Sequence, residues 1–161
     1  MSSQDVRIVL EDGLVFRGKS FSLSGDRYVE LVFNTGMTGY QEILTDPSYT
    51  GQAVVLTYPM IGNYGVNEQD LQSSKIHLDA LIVKEYVDHP SNWRHSKSLK
   101  TYLQEHDIFG VERVDTRALT RHLRDKGALK AAITTCEEPD AVIVDRLQHL
   151  NINNSFDISK F

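Results

Sequence analysis

Leu78-Asp-Ala-Leu-Ile-Val-Lys-Glu-Tyr86 holds four consecutive apolar residues, Ala80 to Val83, with an acid before them and two charged residues after. A strand with one wet face alternates apolar and polar side chains, so an unbroken run of this length predicts a strand covered on both faces. Cover on both faces means layers, and layers of sheet and helix define an α/β domain. Gln52-Ala-Val-Val-Leu-Thr-Tyr58 has the same character and ends at Pro59, through which a sheet ladder cannot continue.

Toward the N-terminus the signals are those of strands. Val6 to Leu10 and Leu14 to Lys19 flank Glu11-Asp12-Gly13, and Asp-Gly between apolar runs predicts a tight hairpin. Tyr28 to Phe33 follows Ser24-Gly25-Asp26 and reads as a third strand, so the chain is expected to open as a β-meander. From Thr38 the period changes, because Tyr40, Ile43 and Leu44 share one face of a short helix that Thr38 is placed to cap.

Toward the C-terminus helices dominate. Ser98 caps a helix to about His106 with Leu99, Tyr102 and Leu103 inward. Phe109 to Val114 is short and ambiguous. Asp115 caps a helix through Lys126 that buries Leu119 and Leu123 and stops at Gly127. Leu129 to Thr134 reads as a strand, and Pro139 opens a last helix with Ile143, Leu147 and Leu150 on one face. Residues 1–150 are expected to form one domain, with Asn151 to Phe161 as a linker or tail. The residues alone therefore predict a mixed α/β domain with an opening meander, one parallel crossover near the end and no internal repeat.

Composition narrows the function. At 161 residues the chain buries roughly 70% of its unfolded surface and needs no staple. Seventeen Lys and Arg against 22 Asp and Glu leave a net charge of −5, which speaks against a nucleic-acid partner. No apolar run approaches a signal segment or the ~20 residues of a membrane span, so a cytoplasmic protein with no membrane partner is expected. Cys136 is the only cysteine, and the six histidines show no ligand spacing, so neither a disulfide nor a metal is expected.

The segment Phe33-Asn-Thr-Gly-Met-Thr-Gly-Tyr-Gln-Glu-Ile-Leu-Thr-Asp-Pro-Ser-Tyr-Thr-Gly51 carries more glycine and hydroxyl than a connection needs. Gly36 to Gly39 has the spacing of a nucleic-acid clamp, yet no Lys or Arg lies between Arg27 and Lys75 to hold a phosphate chain. Gly62-Asn-Tyr-Gly65 matches no phosphate loop and reads as a turn. Ser48 lacks the base and elbow of a nucleophile, but its hydroxyl and amide, held by Pro47, suit hydrogen-bond donation to a carboxylate or oxyanion. Cys136 stands beside Glu137 and Glu138, which raise its pKa and leave it inert. Arg117, Arg121 and Arg124 form one stripe along a helix face, either solvated or a docking surface for an acidic partner. Trp93, in Pro90-Ser-Asn-Trp-Arg94, reads as a core or interface anchor.

Taken in order, Leu10-Glu-Asp-Gly13, the segment Phe33 to Tyr49, Leu56-Thr-Tyr-Pro-Met-Ile-Gly-Asn-Tyr-Gly-Val-Asn67, Pro90 to Arg94 and Asp115-Thr-Arg-Ala-Leu-Thr-Arg-His-Leu-Arg124 closely resemble the N-terminal domain of the small, glutaminase subunit of carbamoyl-phosphate synthase. The resemblance covers nearly the whole chain. It implies a layered β/β/α swivelling domain, followed in the family by a class I glutamine amidotransferase domain that alone carries the catalytic Cys, His and Glu. None of those catalytic residues is present up to Phe161, so the chain by itself is expected to be inactive and to come from an excised, truncated or split small subunit. The resemblance places Ser48 at the edge of the glutamine pocket. It implies the synthase's large subunit and the amidotransferase domain as partners, with ATP and metal on the large subunit and no cofactor here, and a role in arginine and pyrimidine synthesis. Trp93, Arg117, Arg121 and Arg124 are candidate partner contacts. The alternative is a free-standing small-anion or partner-binding module of the same fold.

Overall fold

The computed structural model describes residues 4–36, 40–57, 78–87 and 98–150. Among them the chain forms strands β1 (Gln4–Leu10), β2 (Val15–Ser20), β3 (Asp26–Asn34), β4 (Gln52–Leu56), β5 (Ala80–Ile82), β6 (Phe109–Glu112) and β7 (Leu129–Thr134). The helices are α1 (Tyr40–Thr45), α2 (Leu99–Glu105), α3 (Thr116–Lys126) and α4 (Asp140–His149). The mixed α/β class is as expected. The strands, however, close into a barrel in the order β1-β2-β6-β5-β4-β3-β7.

The first hairpin follows its sequence signal. Leu10 and Leu14 join across the turn at 2.9 Å, and Gly13 takes φ +95°, a conformation that side chains with a Cβ rarely adopt. The meander ends there. β3 pairs antiparallel with β7 and parallel with β4, while the free edge of β2 is taken by β6. Strand β7 fits between β1 and β3, which are not adjacent to each other, and so closes the barrel and removes both edges. Three parallel pairings, β3 with β4, β4 with β5 and β5 with β6, replace the single late crossover that was expected.

Alternation explains the apolar runs. Ala53, Val55, Ala80 and Ile82 face inward with Val6, Ile8, Leu31, Phe109 and Ile133. Their neighbours Val54, Leu56, Leu81 and Val83 face outward and are covered by Ile43 and Leu44 of α1 and Leu99, Tyr102 and Leu103 of α2. Both faces of β4 and β5 are dry, so both tolerate unbroken apolar sequence. On the other side, Ile143 and Leu147 of α4 cover Val9 and Ala132. Pro139 is the N-cap of α4 rather than its first helical residue.

Helix α3 differs from the others, because its Leu119 and Leu123 join the interior cluster instead of an outer layer. It packs against β3 and β4. Its ends follow the sequence closely: the Asp115 carboxylate accepts from the Ala118 amide at 3.0 Å, and Gly127 terminates it at φ +83°. His122 meets Asp12 of the first hairpin at 2.6 Å, tying α3 to the turn between β1 and β2.

Candidate functional site

Pro47 to Tyr49 forms a single turn of 3-10 helix between α1 and β4, and Asp46 caps it. The Asp46 carboxylate accepts from the Ser48 amide at 2.9 Å and from the Ser48 hydroxyl at 2.8 Å. Asn34, at the end of β3, donates to the Tyr49 hydroxyl at 2.8 Å and anchors the turn to the barrel. Gly51, at φ +77°, redirects the chain into β4. Ser48 is exposed, but both of its donors are committed to Asp46. What it presents outward is a hydroxyl oxygen whose lone pairs accept, polarised by a carboxylate behind it. The sequence alone leaves the hydroxyl and amide as free donors; in the fold Asp46, two residues away, captures both.

On α3, Arg117, Arg121 and Arg124 are exposed on the face opposite Leu119 and Leu123. The Arg124 guanidinium lies 5.7 Å from the centre of the Phe33 ring, a cation–π contact that fixes the helix end against β3. These arginines line a cavity together with Lys84, just beyond β5, and with Thr35 and Thr57, just beyond β3 and β4. Lys84 and the threonines escaped the sequence reading. Their signal is positional: each follows the carboxyl end of a parallel strand, the end at which parallel α/β folds, open or barrel, place ligands. Ser48 is not in the lining of that cavity, so the arginines and Ser48 form separate places. Trp93 and the Gly62–Gly65 turn lie outside the described residues.

Cys136 is exposed, and its thiol is pushed above the ordinary value, chiefly by a hydrogen bond with the Asp26 carboxylate. A hydrogen bond with Thr134 opposes this, and the charges of Asp26 and Glu138 add to the rise. The direction agrees with the sequence reading, but the principal acid comes from β3, a distant part of the chain. Among the described residues no group of His, Cys, Asp and Glu is arranged to hold a metal ion. No described helix is long and apolar enough to cross a membrane.

Residues 8–133 match the family model described as carbamoyl-phosphate synthase small chain, CPSase domain. The chain belongs to that family. Carbamoyl phosphate synthase small chains from Nitratidesulfovibrio vulgaris (strain Hildenborough) and Thermotoga maritima are each 54% identical to it, over 143 and 142 residues. The small chain from Aquifex aeolicus is 50% identical over 143 residues. These alignments cover 89%, 88% and 89% of the chain but only 38%, 36% and 38% of the relatives, so it spans little more than a third of their length. A solved aminopeptidase from Aneurinibacillus sp. strain AM-1 aligns over 83% of the chain and 33% of its own length, with TM-score 0.45 and 14% identity, a likeness that bears on neither fold nor activity. The family match takes in the Asp46–Ser48 turn and all of α3, and leaves α4 beyond its end.

Proposed function

We propose that the chain serves as the non-catalytic N-terminal domain of the small subunit of a glutamine-dependent carbamoyl-phosphate synthase, docking on the large subunit and contributing Ser48 to the glutamine pocket. The family match over residues 8–133 carries this reading. In it, an amidotransferase domain elsewhere in the small subunit hydrolyses L-glutamine. The large subunit, with its ATP and metal, combines the released ammonia with bicarbonate in the cytoplasm, for arginine and pyrimidine synthesis. The barrel, with α1, α2 and α4 on its outside and α3 packed into its interior cluster, is taken as the family's layered swivelling domain.

The turn geometry supports a defined part for Ser48. Its oxygen, already donating to Asp46, suits acceptance of a hydrogen bond from the α-ammonium group of glutamine, and Asp46 adds negative charge behind it. Cys136, with its raised pKa, does not suit nucleophilic attack, which agrees with a domain that does no chemistry itself. The exposed Arg117, Arg121 and Arg124, with Trp93, are the proposed contacts for the large subunit.

Ser48→Ala, made in a full-length small subunit assembled with its large subunit, tests the reading. Removing a hydrogen bond to a charged group worth about 1.5–3 kcal/mol should raise KM for glutamine roughly 10- to 100-fold with kcat little changed. An unchanged KM would remove Ser48 from the pocket. For docking, Arg117→Glu with Arg121→Glu should abolish co-purification of the large subunit, and undiminished recovery would exclude that face.

A further inference from the structure

The arginine face of α3 is concave where it meets the barrel. Lys84, Arg117, Arg121 and Arg124 surround a cavity of about 460 Å³, within the usual size range of small-molecule sites. The single acid in its lining, Asp115, already accepts from the Ala118 amide as the cap of α3. None of the four cations makes an ion pair or a hydrogen bond through its side chain among the described residues. Elsewhere, Arg7, Lys19, Arg27, Lys130 and Arg146 have carboxylate partners, while Arg17, Lys100, Arg113 and Lys126 have no ion pair among the described residues; what sets the four apart is that they converge on one cavity. Four cations against the one carboxylate of Asp115 leave the lining with net positive charge, and an anion in the cavity offsets it.

Thr120 is a further donor in reach of that cavity. It lines the cavity, is only 5% exposed, and its Oγ1 is the one buried side-chain polar atom among the described residues that has no hydrogen-bond partner. A threonine inside a helix ordinarily returns its hydroxyl to the carbonyl four residues earlier, and this one does not. Buried polar groups are nearly always satisfied, and this hydroxyl, shielded from solvent in its present rotamer, can turn toward the guanidinium groups and an anion between them without giving up a hydrogen bond. Thr35 adds a hydroxyl from the end of β3, the Thr57 hydroxyl is turned to the Asn34 carbonyl at 3.5 Å, and the first turn of α3 adds the positive end of its dipole.

We propose that this cavity binds the phosphate group of a small phosphorylated molecule. A phosphate monoester carries close to two charges and three acceptor oxygens, which matches several guanidinium forks and hydroxyl donors at once. A single carboxylate fills far less of that capacity. The site shares Arg117, Arg121 and Arg124 with the docking face proposed above, but it requires no partner subunit, so binding by the chain alone tests it apart from docking and from the glutamine role.

The test is titration of the 161-residue chain with inorganic phosphate at constant ionic strength, followed by calorimetry and by amide chemical shifts. Saturable binding is expected, with shifts confined to the start of α3 and to the residues that follow β3, β4 and β5. Arg121→Gln should weaken it at least tenfold, and Arg121→Lys should restore part of the loss. Thr120→Val, which keeps the side-chain shape and loses no existing hydrogen bond, should weaken binding about threefold while leaving the melting temperature intact. No saturable binding by the wild-type chain, or binding indifferent to Arg121→Gln and Thr120→Val, would overturn the proposal. Succinate binding as tightly as phosphate would overturn it too, and assign the cavity to carboxylates of a partner protein.

Discussion

Truncating Leu119 to alanine should separate the inward face of α3 from its outward face. Leu119 is fully buried and belongs to the interior cluster with Val6, Ile8, Leu31 and Ile133, so it fills the barrel rather than covering it. Leu→Ala at such a site removes the transfer free energy of the lost carbons and leaves a cavity that a closed barrel cannot collapse to fill. The expected cost is about 2–5 kcal/mol. With about 2–4 °C of melting temperature lost per kcal/mol in a chain of this size, a mid-range loss lowers Tm by roughly 6–12 °C. Arg121→Ala, two residues on and on the exposed face, should change stability by less than about 0.5 kcal/mol. Urea titrations of both variants, followed by far-ultraviolet circular dichroism, measure the difference. A Leu119→Ala loss below about 1 kcal/mol, or equal effects of the two substitutions, would refute the placement of α3 as the plug of the barrel and with it the geometry that gathers the arginines.

Gly18→Ala should destabilise by about 1–3 kcal/mol, because its Cβ would stand 2.5 Å from the Glu112 carbonyl oxygen and 2.7 Å from a Val114 methyl; unchanged unfolding in urea would mean that β2 and β6 are not packed this closely. Burial acts to raise the pKa of Asp12, but hydrogen bonds from His122 and the Leu14 amide, with the charge of His122, outweigh it and hold the carboxyl below its ordinary 3.8. A depressed folded pKa contributes stability that is present above 3.8 and is lost as pH falls through the folded value, so Asp12→Asn should flatten the stability–pH curve below 3.8. An equal slope in both proteins, from unfolding curves at each pH, would count against that contact. The Cys136 thiol should react with a disulfide reagent at pH 8 more slowly than a free cysteine, and Asp26→Asn should speed it, since Asp26 is the main cause of the raised pKa.

The local elements were legible because their causes are local. The Asp-Gly turn, the Ser98 and Asp115 caps, the Gly127 stop and the spacing of Leu119 and Leu123 all act within a few residues, and each stands where the sequence places it. The unbroken apolar run Ala80 to Val83 correctly required cover on both faces, although the strand itself is only Ala80–Ile82. Ser48 was legible as a residue of interest. Its hydrogen-bonding state was not, because an Asp46 side chain can turn toward solvent or toward its own turn with equal ease in sequence.

By itself, then, the sequence determined the α/β class, most of the helix ends, the dry central strands and the family. Only the tertiary structure decided that β7 closes a barrel between β1 and β3, because strand pairing depends on which edges remain free once every other strand is placed. The same closure decided that Lys84, Thr120 and three arginines share one cavity. Lys84 precedes Arg117 by a long intervening stretch, and the charges meet because parallel strands deliver their carboxyl ends to the same side of the sheet as the start of α3.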